Sequence, residues 1–81
     1  MLRVMEWVVE GKFLTKEFKF DNFVDSIEFV NKVVPLAEEI NHHPDILVHG
    51  YNKVKIMLYT HSENKITDKD YNLAKRIDQI S

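Results

Sequence analysis

The chain of 81 residues has no cysteine, two glycines and two prolines. Without cysteine it can form neither a disulfide bond nor a thiolate metal site. No apolar run approaches the roughly 20 residues of a membrane span. Glu6 and Glu10 interrupt the apolar residues near the amino terminus, so this segment does not have the pattern of a signal peptide. We therefore expect a cytoplasmic protein with no membrane partner.

The chain also has no large excess of positive or negative charge. The formal net charge is −2, from 11 basic and 13 acidic side chains, and no basic stripe is present. Proteins that bind nucleic acid concentrate positive charge, so nucleic acid is not an expected partner. A composition of 44% hydrophobic and 30% charged residues is typical of one globular domain, here residues 1–81. Because so short a chain buries only roughly 60–65% of its unfolded surface, we expect a homodimer or homotetramer.

Four segments have the composition or alternation of strands, near residues 3–10, 13–20, 45–50 and 53–61. The scarcity of glycine and proline predicts short loops between them. In the last strand Val54, Ile56, Leu58 and Thr60 alternate with a second set that begins with Lys53 and ends with His61. His61 is therefore predicted on the lysine-bearing face.

Two helices are predicted, over residues 22–41 and 67–80. In the first, apolar residues recur every three or four positions, at Phe23, Ile27, Val30, Val34, Ala37 and Ile40, after a cap at Asp21 or Asn22. Pro35 lies inside this helix, and an interior proline costs about 3 kcal/mol. We expect a kink near residues 31–35, with two shorter helices as the alternative. The second helix opens on Thr67 and Asp70 in the form of a capping box, and its apolar stripe is Tyr71, Ala74, Ile77 and Ile80.

The resulting order is β-β-α-β-β-α. Two hairpins and two helices predict an α+β fold in two layers, a four-stranded antiparallel sheet with both helices on one face.

Histidine is the side chain that suggests chemistry. His42 and His43 are adjacent, and His61 closes the strand that follows them. Imidazole titrates near neutral pH, so several histidines in one pocket can transfer protons without a metal or cofactor. The simpler interpretation is a polar loop with two exposed imidazoles that cap a helix. A metal site is disfavoured because adjacent histidines rarely chelate one ion and no cysteine is present.

Two acidic residues also have structural explanations. Asp70 is the third residue of the predicted capping box, which by itself accounts for an acid there. Glu38 is expected on a solvated helix surface. Neither residue indicates a site when taken alone.

The joint spacing of Glu38, His42-His43-Pro44, Tyr51, His61 and Asp70 changes that interpretation. It closely resembles the pterin-4a-carbinolamine dehydratases, and the resemblance covers about Trp7 to Ile80. This family removes water from a 4a-hydroxytetrahydropterin, in tetrahydrobiopterin biosynthesis, and gives quinonoid dihydropterin with no metal and no cofactor. The resemblance therefore implies a lyase with a pterin substrate.

The resemblance also implies a role for each site residue. His42 and His61 would be the acids that protonate the 4a-hydroxyl, each on one stereoisomer. His43 would bind the pterin and act as a base. Glu38 would orient a histidine or the pterin, and Asp70 would position His61.

The chain departs from the family pattern in two ways that bear on the site and the fold. Many members carry a helix before the first strand, whereas here the sequence starts almost at that strand, so this helix is predicted to be absent. Asn41 stands where some members have aspartate. The alternative function is a non-catalytic dimerisation or binding module on the same fold, and a third is a dehydratase for another pterin, such as one attached to a molybdenum cofactor. The complete histidine set favours the dehydratase.

Overall fold

The computed structural model describes residues 6–81. It contains, in chain order, β1 (Val8–Glu10), β2 (Phe13–Lys19), α1 (Phe23–Ile40), β3 (Asp45–His49), β4 (Lys53–Leu58) and α2 (Asp68–Ile80). The strands form one sheet in the order β1-β2-β4-β3, and every neighbouring pair is antiparallel. The predicted α+β fold with two hairpins and two helices is confirmed.

The core lies between the two central strands and the helices. Alternate residues of β2 and β4 face each other in register, as in the pairs Leu14–Leu58 and Phe18–Val54, and these side chains are buried. They pack against Phe29 and the other buried residues of both helices, so both helices cover one face of the sheet. The strand alternation seen in the sequence therefore identifies the core face correctly.

The buried face of α1 is only partly the one predicted. The helix buries Ser26, Phe29, Val33 and Ala37. Ala37 belongs to the predicted stripe, but Phe23 and Val34 of that stripe are 53% and 48% exposed. Apolar residues occupy more than one side of this helix, and both stripes repeat every three or four positions. Periodicity alone could not decide which stripe faces the sheet. In α2 the buried apolar residues are Leu73, Ala74 and Ile77. Tyr71 of the predicted stripe is 49% exposed, so the prediction is wrong at that residue.

Several boundaries also differ from the predictions. The first strand begins at Val8, and the predicted residues 3–5 lie outside the described residues. The last strand ends at Leu58, after which Thr60 forms an isolated bridge with Lys65. The first helix runs unbroken through Pro35, so the alternative of two shorter helices is wrong.

Local side-chain bonds fix where each helix starts. The Asn22 side chain accepts a hydrogen bond from the backbone N–H of Asp25 at 2.7 Å and caps α1. Thr67 caps α2, and Asp70 completes the capping box by accepting the backbone N–H of Thr67 at 2.9 Å. The predicted capping box is therefore confirmed, and it fixes Asp70 at the start of α2.

Candidate functional site

The end of α1 determines where His42 and His43 lie. Asn41 has φ 51°, in the left-handed region, which asparagine tolerates better than most residues. The backbone N–H of Asn41 donates to Glu38 and that of His42 donates to Ala37, at 3.2 and 3.0 Å, which satisfies the last carbonyl groups of the helix. The chain reverses sharply here, so the two adjacent histidines enter different surroundings.

A cavity of about 270 Å³ opens beside this turn. It is bounded by the end of α1, the segment after β4 and the first turn of α2. Its lining residues are Asn41, His42, His43, Tyr59, Thr60, His61, Ser62 and Lys69. Its volume is close to the lower end of the roughly 300–1,000 Å³ of small-molecule sites. The three histidines singled out in the sequence therefore meet in one cavity.

The ring of His42 contacts a buried carboxylate. Its Nε2 lies 2.6 Å from Oδ1 of Asp70, which is 0% exposed, while the His42 side chain itself is 12% exposed. A short contact between an imidazole and a carboxylate is a charge-assisted hydrogen bond when either group is ionised. The ring of His42 is therefore fixed in orientation.

The resemblance implied that Asp70 positions His61, whereas the structure places the Asp70 carboxylate against His42. The carboxylate bonds His42 through Oδ1, and through Oδ2 it accepts from Thr60 Oγ1 at 2.7 Å and from the backbone of Thr67. The structural and functional explanations of Asp70 do not exclude each other, since the same side chain starts α2 and contacts His42.

His43 has a more exposed partner. Its Nε2 lies 2.6 Å from Oε2 of Glu38, and the two side chains are 56% and 66% exposed. His43 and Glu38 also border a second cavity of about 230 Å³, otherwise lined by Val33, Val34, Ala37, Pro44 and Ile46. Glu38 therefore contacts a histidine, as one of its two expected roles requires.

His61 lies after the end of β4 and is exposed. Its ring meets that of Tyr59 edge to face, with centroids 5.0 Å apart and planes at 78°. Tyr59 in turn lies 5.6 Å from the Phe13 ring. An aromatic wall therefore supports His61 where a carboxylate supports the other two histidines.

Sequence reasoning missed four lining residues, Tyr59, Thr60, Ser62 and Lys69. Thr60 could have been found, because it continues the buried alternation of Val54, Ile56 and Leu58, and a hydroxyl at a buried position needs a partner. Tyr51, part of the spacing pattern, is 63% exposed and does not line the cavity.

Several charged side chains outside the cavity form local pairs. His49 Nε2 lies 2.9 Å from Glu17, so this fourth histidine belongs to a cross-strand contact. Lys55 donates to Glu10 at 3.0 Å, and this hydrogen bond, together with the attraction of its charge, lowers the pKa of Glu10. Within residues 6–81 no three histidine, cysteine or acidic side chains converge as metal ligands. No helix in the same range has the length and apolar character needed to cross a membrane.

Comparison with known proteins gives consistent matches over nearly the whole chain. Residues 1–80 match the family model described as pterin 4 alpha carbinolamine dehydratase. A protein of Sulfolobus acidocaldarius, provisionally named pterin-4-alpha-carbinolamine dehydratase, is 51% identical over 74 residues, which are 91% of this chain and 80% of that protein. A Prochlorococcus marinus protein with the same provisional name is 47% identical and is covered to 77% of its length, again over 91% of this chain.

Solved structures agree with these matches. A transcriptional coactivator/pterin dehydratase from Brucella melitensis superposes with a TM-score of 0.81 at 33% identity, over 94% of this chain and 80% of that one. A pterin dehydratase-like protein identified as a RuBisCO assembly factor in the alpha-carboxysome superposes with a TM-score of 0.74 at 28% identity, over 90% and 86%. Related chains therefore carry more than one described role on this fold.

Proposed function

The chain belongs to the pterin-4-alpha-carbinolamine dehydratase family, and we propose that it eliminates water from 4a-hydroxytetrahydropterin to give quinonoid dihydropterin. The observation that carries this proposal is the meeting of His42, His43 and His61 in one cavity. Acid–base catalysis needs groups that titrate near neutrality within reach of the reacting atoms, and imidazole meets that condition.

The reaction itself defines what the cavity must provide. A protonated imidazole gives its proton to the 4a-hydroxyl oxygen, the C4a–O bond breaks, and its electron pair leaves with water. The N5 lone pair forms the new C4a=N5 bond, and a second group removes the N5 proton. The carbon skeleton exchanges no electrons with an outside acceptor, so the proposal requires no redox cofactor and no metal.

The surroundings of each histidine support different tasks. His42, fixed against Asp70, is proposed as the acid for one 4a epimer, and His61 as the acid for the other. His43 is proposed to bind the pterin and to accept the N5 proton, with Glu38 orienting its ring at 2.6 Å. Tyr59, which lines the cavity, is proposed as the aromatic wall against the flat pterin.

The decisive experiment is a direct assay with 4a-hydroxytetrahydropterin that follows formation of the quinonoid product. We expect the protein to accelerate dehydration above the uncatalysed rate. His49→Ala provides a matched control, because it removes a histidine that contacts Glu17 and does not line the cavity. That variant should keep full activity. An uncatalysed rate in the presence of the wild-type protein would overturn the proposal and leave the non-catalytic module.

The same assay addresses the alternative and the substrate. The RuBisCO assembly factor shows that a pterin dehydratase-like fold of 28% identity can have an assembly role. An assembly module does not need ionisable groups in a shared cavity, and this is why the enzyme is favoured here. Comparing a free tetrahydropterin with a pterin that bears a larger substituent would identify the preferred substrate.

A further inference from the structure

Asp70 is surrounded by hydrogen-bond donors, and this has a consequence for the proton positions. The carboxylate is fully buried. Oδ2 lies 2.7 Å from Thr60 Oγ1 and 2.9 Å from the backbone nitrogen of Thr67, and Oδ1 lies 2.6 Å from His42 Nε2. An ionised carboxylate has only acceptor sites, so each of these three neighbours must donate to it.

The two threonine hydroxyls then have only one consistent arrangement. A hydroxyl carries one proton, and Thr60 uses its proton on Asp70. The 2.7 Å contact between Thr60 Oγ1 and Thr67 Oγ1 can therefore be a hydrogen bond only if Thr67 donates. Thr67 Oγ1 is free to do so because it accepts from backbone N–H groups of the first turn of α2. The chain of donors runs from Thr67 to Thr60 to Asp70.

The same accounting of donors and acceptors decides which nitrogen of the His42 ring carries a hydrogen. Since Asp70 accepts at Oδ1, Nε2 of His42 carries a hydrogen whether the ring is neutral or protonated. Within residues 6–81 the Nδ1 atom of His42 makes no hydrogen bond, and no buried side-chain nitrogen in that range lacks a partner. Nδ1 is therefore the nitrogen that is open to the cavity, which His42 lines.

We propose that Thr60 is a positioning residue, which holds Asp70 as an acceptor so that His42 keeps its proton on Nε2 and presents Nδ1 to the substrate. Thr60 acts through Asp70 and His42, and its assigned task is to fix which nitrogen faces the 4a-hydroxyl. The catalytic part of this inference rests on the proposed dehydratase function. The assignment of the tautomer does not.

The loss of this hydroxyl has a defined effect. Without the Thr60 donor, the Nε2 proton can shift onto Oδ1 of Asp70 while Nδ1 takes a proton from solvent, which leaves a protonated Asp70 and a neutral ring with its hydrogen on Nδ1. A neutral imidazole N–H is a much weaker acid than imidazolium, so the ring in this form protonates the 4a-hydroxyl poorly. At metal sites, the hydrogen-bond partners of ligating histidines are worth about tenfold to a hundredfold in affinity or activity, and we expect the same range for Thr60.

The experiment compares Thr60→Val, Thr60→Ser and the control Thr15→Val. Thr15 is also a buried threonine of the sheet, 3% exposed, but its hydroxyl lies 3.4 Å from the carbonyl oxygen of Val8, outside the cavity. The readout is the tautomer of His42, from long-range proton–nitrogen correlation spectra of labelled protein. We expect the Nε2–H form in the wild type, Thr60→Ser and Thr15→Val, and an increased Nδ1–H population in Thr60→Val.

Activity supplies the second measurement. Thr60→Val should lose about tenfold to a hundredfold in kcat, with Thr60→Ser restoring most of it and Thr15→Val near the wild type. An Nδ1–H form in the wild type overturns the inference even if Thr60→Val fails to fold. So does an unchanged tautomer in a folded Thr60→Val protein. If the tautomer shifts as expected but the wild type does not dehydrate the pterin, the proposed function fails and the positioning of His42 stands.

Discussion

At the scale of single residues, the cavity holds its three histidines in three different surroundings. His42 rests on a buried carboxylate, His43 on an exposed one, and His61 on an aromatic ring. Exposed ion pairs are worth about 0–1 kcal/mol, because water screens the charges. The orientation of His42 is therefore the most firmly set, and its substitution is expected to have the largest effect.

Replacing His42 by alanine should lower the dehydration rate by roughly 10²-fold or more, the usual contribution of one general acid. His61→Ala should slow one 4a stereoisomer more than the other, because the two acids are assigned to opposite epimers. Steady-state assays with the separate epimers measure both effects. Full activity of a folded His42→Ala protein, with an unchanged circular dichroism spectrum, would falsify the assignment of this acid.

Asp70→Asn separates the two tasks of this side chain. The amide oxygen can still accept from Thr60 and from the backbone of Thr67, so the cap of α2 is preserved. The amide nitrogen would then face His42 Nε2 and donate to it, which favours the wrong tautomer. We expect activity to fall by roughly 10²-fold or more, as for other groups needed in proton transfer, with little change in Tm. Thermal melts and the dehydration assay on the same preparation test this, and equal activity of variant and wild type would restrict Asp70 to capping.

At the scale of elements, Asn41 decides how α1 delivers the two histidines. Its left-handed backbone costs most residues roughly 1–2 kcal/mol, because the Cβ atom approaches the carbonyl oxygen. Asn41→Ala should therefore lower the free energy of unfolding by about 1 kcal/mol, whereas Asn41→Gly should be tolerated. Chemical denaturation measures both. If alanine is tolerated as well as glycine, the turn does not depend on the left-handed conformation.

How far the sequence predicted these elements depended on the kind of pattern. Strand alternation identified β2 and β4 and their buried faces, because each strand has one apolar and one polar face. Helical periodicity identified the buried face of α1 only in part, because Phe29 and Val33 compete with Phe23 and Val34 at the same helical spacing. Family spacing named five candidate site residues. It assigned Asp70 to His61, whereas Asp70 contacts His42, because spacing along the chain does not give distances across the fold.

At the scale of the whole molecule, the helix layer leaves apolar side chains in water. Phe23, Val24 and Val34 of α1 are 53%, 63% and 48% exposed. We predict that the chain forms a homodimer or homotetramer in which this surface is covered, because small domains often supplement their core in this way. Light scattering at micromolar concentration should give a mass above that of one chain. Val24→Lys should shift the distribution toward the monomer, while Lys32→Gln on the same helix should not. A wild-type monomer under these conditions would contradict the prediction.

Asp70 belongs both to the first turn of α2 and to the contact with His42. The geometry of the proposed site should therefore depend on temperature through the stability of that turn. Parts of a folded protein can open locally at a lower free energy than unfolding of the whole fold requires. Each opening of that turn also frees the histidine ring, so the working arrangement vanishes while most of the sheet stays intact. Warming is therefore expected to switch the proposed dehydratase activity off reversibly before the protein melts. The upper temperature of function is then set by one turn of one helix.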